Sequence, residues 1–123
     1  MAPAIQPPPP DILRPLGAGP IVLTCEHASA ALPPSLRATA QDRAVLRRHW
    51  GVDIGAAAVT RALSEALDAP AVLGVASRLV VDLNRAPDDP TLALAEVEGL
   101  RLGFNADLDG PARAQRIEAL HRP

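Results

Sequence analysis

The 123-residue chain has no tyrosine, one tryptophan, one phenylalanine and one cysteine, and every basic side chain is an arginine. With so few rings, packing falls to Ala, Val and Leu, and a single domain of this length buries only about two thirds of its unfolded surface. The lone Cys25 excludes an internal disulfide framework and any multi-cysteine zinc cage. A formal charge of -2 with 2% aromatic residues supplies neither the basic footprint of a phosphate binder nor the stacking rings of a single-strand binder, so no nucleic acid partner is expected. No apolar run reaches the roughly 18 residues of a membrane span, and residues 1–10 lack the basic and apolar parts of a signal peptide. The expectation is a cytoplasmic protein with no membrane partner.

Proline is abundant, and residues 1–20 hold half of the 14 prolines, with Pro7, Pro8, Pro9 and Pro10 in a row. Such a segment has few ladder donors and favours polyproline geometry, which predicts a disordered tail over 1–20 and a folded domain over 21–123. The apolar run of residues 21–25 predicts a buried strand ending at the polar pair Glu26 and His27. Residues 41–49 read as a short charged helix. Residues 53–67 read as a longer one, with Ala56, Val59, Leu63, Ala66 and Leu67 facing the core and Arg61 and Glu65 facing water. Residues 71–75 predict a second strand, 78–85 a mixed extended segment, 86–110 a loop with a short turn near 92–96, and 111–121 a last helix opened by Pro111. Strand, helix, strand is a βαβ unit of an α/β fold, which favours a parallel sheet with ligands beyond the carboxyl ends of its strands. Two or three strands make a poor independent sheet, so the fold reads as unfinished.

Cys25, Glu26 and His27 at a strand end can serve a metal, a general base or a nucleophile, and these readings stay open. A Cys25–His27 nucleophile pair is disfavoured because side chains two apart on a strand lie roughly 6–7 Å apart; Cys25 reads as a small buried hydrophobe. His27 could equally be a hydrogen-bonded histidine that ties down a loop. A helical path would put His49 and Asp53 on one face, as a metal pair or a His–carboxylate pair, although Asp53 also suits a helix N-cap. An extended 78–85 segment would place Arg78, Val80, Asp82 and Asn84 on one face and Leu79, Val81, Leu83 and Arg85 on the other. The alternatives for that segment are a solvated edge strand and an anion-binding face whose Arg78 and Arg85 could grip a dicarboxylate such as a glutamate derivative. The nucleophile elbow, the P-loop and a strand-linked dinucleotide fingerprint are absent, since Gly17 and Gly19 precede the first strand.

Three blocks in order, Thr24-Cys25-Glu26-His27-Ala28-Ser29, His49-Trp50-Gly51-Val52-Asp53-Ile54-Gly55-Ala56 and Ser77-Arg78-Leu79-Val80-Val81-Asp82-Leu83-Asn84-Arg85, resemble the N-formylglutamate amidohydrolase family. The resemblance covers residue 21 onward. It implies an incomplete three-layer α/β/α sandwich of the phosphorylase/hydrolase-like type with a parallel or mixed sheet, and a metal-dependent hydrolase of bacterial-type histidine catabolism. Such an enzyme cleaves an N-formyl or other N-acyl amino acid, such as N-formyl-L-glutamate, into formate and glutamate. His27 and Asp53 are the implied ligands of a divalent metal, zinc by kinship, with His49 or Glu26 as substitutes. Glu26 and His27 are the implied catalytic groups, and Arg78, Asp82, Asn84 and Arg85 the implied substrate contacts. Family members are about twice as long, so the chain is expected to be truncated, weakly active or inactive alone, and capable of homo-oligomer formation. Its rival identities are a non-catalytic anion or amino-acid-binding module and an inactive gene remnant.

Overall fold

Around a central strand whose Ala71 and Leu73 point inward, the chain assembles a three-stranded mixed sheet; the structure, a computed structural model, describes residues 4–122. Strand β1 (Asp11–Leu13) runs antiparallel to β3 (Ala71–Leu73), and β2 (Leu23–Cys25) runs parallel to it, in the order β1-β3-β2. Residues 11–13, which the proline content assigned to a tail, are instead paired across β3, with Ile12 opposite Val72. That stretch contains no proline and alternates its side chains, so its amides are free to join a ladder.

Helix α1 (Ala40–Leu46) opens on a reciprocal cap: Thr39 accepts from the Asp42 amide at 3.0 Å, and Asp42 accepts from the Thr39 amide at 2.8 Å. The fully buried Asp42 carboxylate also accepts from the Gly103 amide at 2.9 Å, which ties α1 to a distant loop. Helix α2 (Ala56–Leu67) crosses between β2 and β3 as the βαβ reading requires. Its inward face differs from the expected one. Thr60 and Ser64 are buried, with Ala56 and Ala57 against Cys25, Ala71 and Leu73, whereas Val59, Leu63 and Leu67 are 59%, 43% and 45% exposed. The polar inward pair costs little, because the Thr60 hydroxyl donates to the Ala56 carbonyl and the Ser64 hydroxyl to the Ala69 carbonyl, at 2.9 and 2.7 Å.

A hairpin of β4 (Glu96–Val97) and β5 (Leu100–Arg101) occupies the region read as loop, and α3 (Gly110–Arg116) continues into a wide π-type turn over Ile117–His121. Residues brought together from α1, the 79–80 turn, the hairpin and the following loop form the larger core: Val45, Leu46, Leu79, Val80, Val97, Leu102 and Phe104. The second cluster is smaller, comprising Cys25, Ala71 and Leu73 beneath α2. The opposite sheet face carries the in-register trio Ile12, Val72 and Thr24, all exposed, beside an apolar groove of about 520 Å³ that residues 7–10 help line. Among the described residues no helix is long and apolar enough to cross a membrane.

Candidate active site

The carboxyl end of β2 passes so close to the end of β3 that a Cβ on Gly74 would lie 2.1 Å from the Glu26 carbonyl oxygen. Only glycine fits there, and its amide bonds the Cys25 carbonyl at 2.8 Å. This contact fixes where Glu26 and His27 leave the sheet. The Asp53 amide donates to the His27 carbonyl at 3.0 Å, so the segment before α2 is drawn against the same point. Asp53 is not the helix cap; Gly55 holds that position, leaving the Asp53 carboxylate outside the helix.

His27 is buried and engaged at both ring nitrogens. Nε2 lies 2.7 Å from Asp82 Oδ1, and Nδ1 lies 3.1 Å from Arg78 Nη1. An ionised carboxylate can only accept and a guanidinium can only donate, so Nε2 carries the proton and Nδ1 presents its lone pair. Asp53 Oδ2 faces that lone pair at 3.4 Å, and Arg78 Nη1 reaches Asp53 Oδ1 at 3.2 Å. The Arg78 guanidinium, 3.1 Å from Nδ1 and 3.2 Å from Oδ1, offsets the repulsion between these two electron-rich groups. Arg78 is further anchored to the Trp50 carbonyl at 2.9 Å and to the His49 carbonyl.

Asp82 is held in turn. Its Oδ1 accepts from the Asn84 amide at 3.0 Å, and its Oδ2 lies 3.6 Å from Arg85 Nε. The segment 78–85 is therefore a pair of turns and not an extended strand, and Leu79, Val80, Val81 and Asp82 are consecutively buried. The physical cause is local: the Ser77 hydroxyl accepts from the Leu79 amide, the Val80 amide returns to the Ser77 carbonyl, and Asp82 caps the next turn. The expected two-faced alternation of Arg78, Val80, Asp82 and Asn84 against Leu79, Val81, Leu83 and Arg85 is thereby lost.

The cleft beside His27 has a volume of about 520 Å³ and is bordered by Glu26, His27, Asp53, Asn84 and the first turn of α2. Glu26 is half-buried on its wall, and the Arg85 side chain is half exposed nearby. His49 takes a different place from the one its spacing suggests. Residues 48–52 are turns because Gly51 packs on Leu46, where a Cβ would meet the Leu46 carbonyl oxygen at 2.2 Å. The His49 ring consequently lies 4.5 Å from the Trp50 ring and does not border the cleft; its backbone carbonyl serves the site through Arg78. Sequence reasoning missed the Ser77 hydroxyl, which donates to the Gly51 carbonyl at 2.7 Å and joins the loop of Asp53 to the turn of Arg78.

His27 Nδ1 and Asp53 are donors of the types a divalent cation takes, and Asp82 fixes the ring as carboxylates behind metal-bound histidines do. Among the described residues no group of three or more His, Cys, Asp or Glu side chains is arranged to hold a metal ion. The donor set thus fits two positions of a coordination sphere.

The chain is structurally similar to the crystal structure of gene product Atu2144 from Agrobacterium tumefaciens, with a TM-score of 0.79 and 37% identity, covering 91% of this chain and 44% of that one. It therefore spans less than half the length of that solved relative. No curated protein gives a significant match. A sequence profile described as N-formylglutamate amidohydrolase matches residues 19–123, most of the chain, and with the site blocks in place the chain belongs to the N-formylglutamate amidohydrolase family.

Proposed function

We propose that the chain carries the β2 and α2 half of a metal-dependent hydrolase site that cleaves an N-formyl amino acid, such as N-formyl-L-glutamate, into formate and the amino acid. The fold that goes with this reading is part of a three-layer α/β/α sandwich of the phosphorylase/hydrolase-like type. One observation carries it: His27, buried and oriented by Asp82, turns its Nδ1 lone pair toward Asp53 at 3.4 Å on the wall of an open cleft.

In this reading His27 and Asp53 hold the cation, zinc being the ion suited to a nitrogen and oxygen donor pair. When bound, the cation supplies Lewis acidity to the formyl carbonyl and the attacking water. Asp82 keeps the proton on Nε2, so that Nδ1 remains a donor lone pair. Glu26, on the same wall, accepts the proton released by the water and returns it to the leaving amine. Arg85, whose side chain is half exposed, and Asn84, on the cleft wall, receive the carboxylates of the amino acid. Arg78 must exchange its contacts with Nδ1 and Asp53 for contacts with the substrate when the cation enters.

Zinc binding to the purified chain, followed by equilibrium dialysis and by release of formate from N-formyl-L-glutamate, tests the reading. The expected result is weak zinc binding abolished by His27→Ala and by Asp53→Ala, with slow or no turnover. Zinc affinity unchanged by both substitutions would sink it. The engaged Arg78 favours a second reading, a non-catalytic module for glutamate-like anions. Stoichiometric ligand binding without metal, indifferent to Asp53→Ala, would select that one.

A further inference from the structure

Arg116 is 3% exposed, yet its partners are neutral oxygens: the Val80 carbonyl at 3.0 Å, the Phe104 carbonyl at 2.5 Å and the side-chain oxygen of Asn105. Asn105 is committed elsewhere, its amide nitrogen donating to the Leu79 and Leu94 carbonyls at 2.7 Å each. Six other arginines pair with carboxylates, whereas among the described residues none lies within 4.0 Å of Arg116. Neutral acceptors take three of the five guanidinium donors and leave the charge uncompensated in a medium of low dielectric constant. Burial accordingly pulls the guanidinium below its ordinary value, to about 10.

Beside Arg116 lies a cavity of about 170 Å³, bordered also by Ser35, Leu36, Phe104, Leu108 and Gln115. The Ser35 hydroxyl is buried and has no hydrogen-bond partner. Asp107 also borders the cavity, but its carboxylate is 95% exposed and pairs with Arg101 at 3.2 Å. A water claims about 30 Å³ of liquid volume, so the space suits a group of a few heavy atoms. Water would satisfy Ser35 without answering the charge.

We propose that this cavity binds one small monovalent anion, held by the Arg116 guanidinium and the Ser35 hydroxyl. An anion there joins the buried cation and the orphan hydroxyl in one interaction and pins α3 to the larger core. Neither Arg116 nor Ser35 borders the cleft at His27, so the anion site stands apart from the catalytic reading.

Thermal melting of the whole chain in chloride-free buffer tests it, with sodium formate, sodium chloride or sodium gluconate added at equal ionic strength. Gluconate is too large for the cavity and reports screening alone. Formate or chloride should raise Tm saturably by about 3 °C while gluconate does not, and whichever saturates distinguishes a carboxylate from a halide. Ser35→Ala keeps Arg116 and its carbonyl partners, and should weaken the apparent affinity about fivefold. Arg116→Gln should abolish the saturable response. Where that variant melts too early to read, ¹³C-formate line broadening on wild type against Ser35→Ala decides the matter if formate is the anion, and ³⁵Cl broadening if chloride is. Equal shifts from all three salts, or a response untouched by Ser35→Ala, would overturn the proposal.

Discussion

The core around Val80 and Leu102 and the cluster around Leu73 use apolar residues in opposite ways. In the first, segments far apart in sequence converge until Val80 and Leu102 have no exposed surface. In the second, three residues are buried beneath α2, while Val22, Val59, Leu63, Leu67 and Val72 stay between 41% and 64% exposed. The candidate site lies where the two meet. His27 and Asp53 come from the sheet side; Asp82 and Arg78 come from the turns that belong to the larger core. The groups that orient the imidazole are therefore rooted in the better-packed region, and the imidazole itself in the thinner one.

The sharpest way to break this comparison is a pair of matched truncations. Leu102→Ala should cost about 3 kcal/mol in urea unfolding, because a fully buried leucine leaves a cavity. Leu63→Ala should cost less than about 1 kcal/mol, since the side chain is 43% exposed and alanine keeps the helix propensity. Comparable losses from the two would erase the distinction. Next in size, Asn105→Ala should cost about 2 kcal/mol, because it strands two carbonyls and Arg116 inside the same core. Across the seam, Asp82→Asn should weaken zinc binding about tenfold by replacing the anionic acceptor of the Nε2 proton with a neutral amide, with little change in the melting curve.

The smallest effect concerns pH. The Thr91 hydroxyl and amide donate to Asp89 at 2.6 and 2.7 Å and hold its carboxyl below its ordinary 3.8, with Arg85 and Arg113 adding minor attraction. A depressed carboxyl contributes order that is present above pH 3.8 and fades as pH falls through its lower folded value. Amide exchange at Thr91, after correction for intrinsic rates, should accelerate over that acid range in wild type and be flat in Asp89→Ala.

Much of the sheet side is legible in the sequence. The apolar run before Glu26, the helix and the second apolar run yield β2, α2 and β3 directly, because their periodicities and proline boundaries are local signals. The inward face of α2 is not legible, since Thr60 and Ser64 cancel their polarity through bonds to the backbone that periodicity cannot register. The turns of 78–85 are hidden for a similar reason: a valine-rich stretch reads as extended until Ser77 and Asp82 take the amides. His27 and Asp53 come together through a backbone bond between residues 26 apart, and His49 is diverted by the tight approach of Gly51 to Leu46; neither follows from helical spacing.

With β3 in the middle, β2 lies at a border of the sheet: Leu23 and Cys25 bond inward, and the amide and carbonyl of Thr24 face outward, toward any further polypeptide segment. A segment that laddered there would lie alongside Cys25, next to Glu26 and His27. One of the two margins of the sheet is thus also the one beside the imidazole, and accretion at that margin would reshape the cleft from outside.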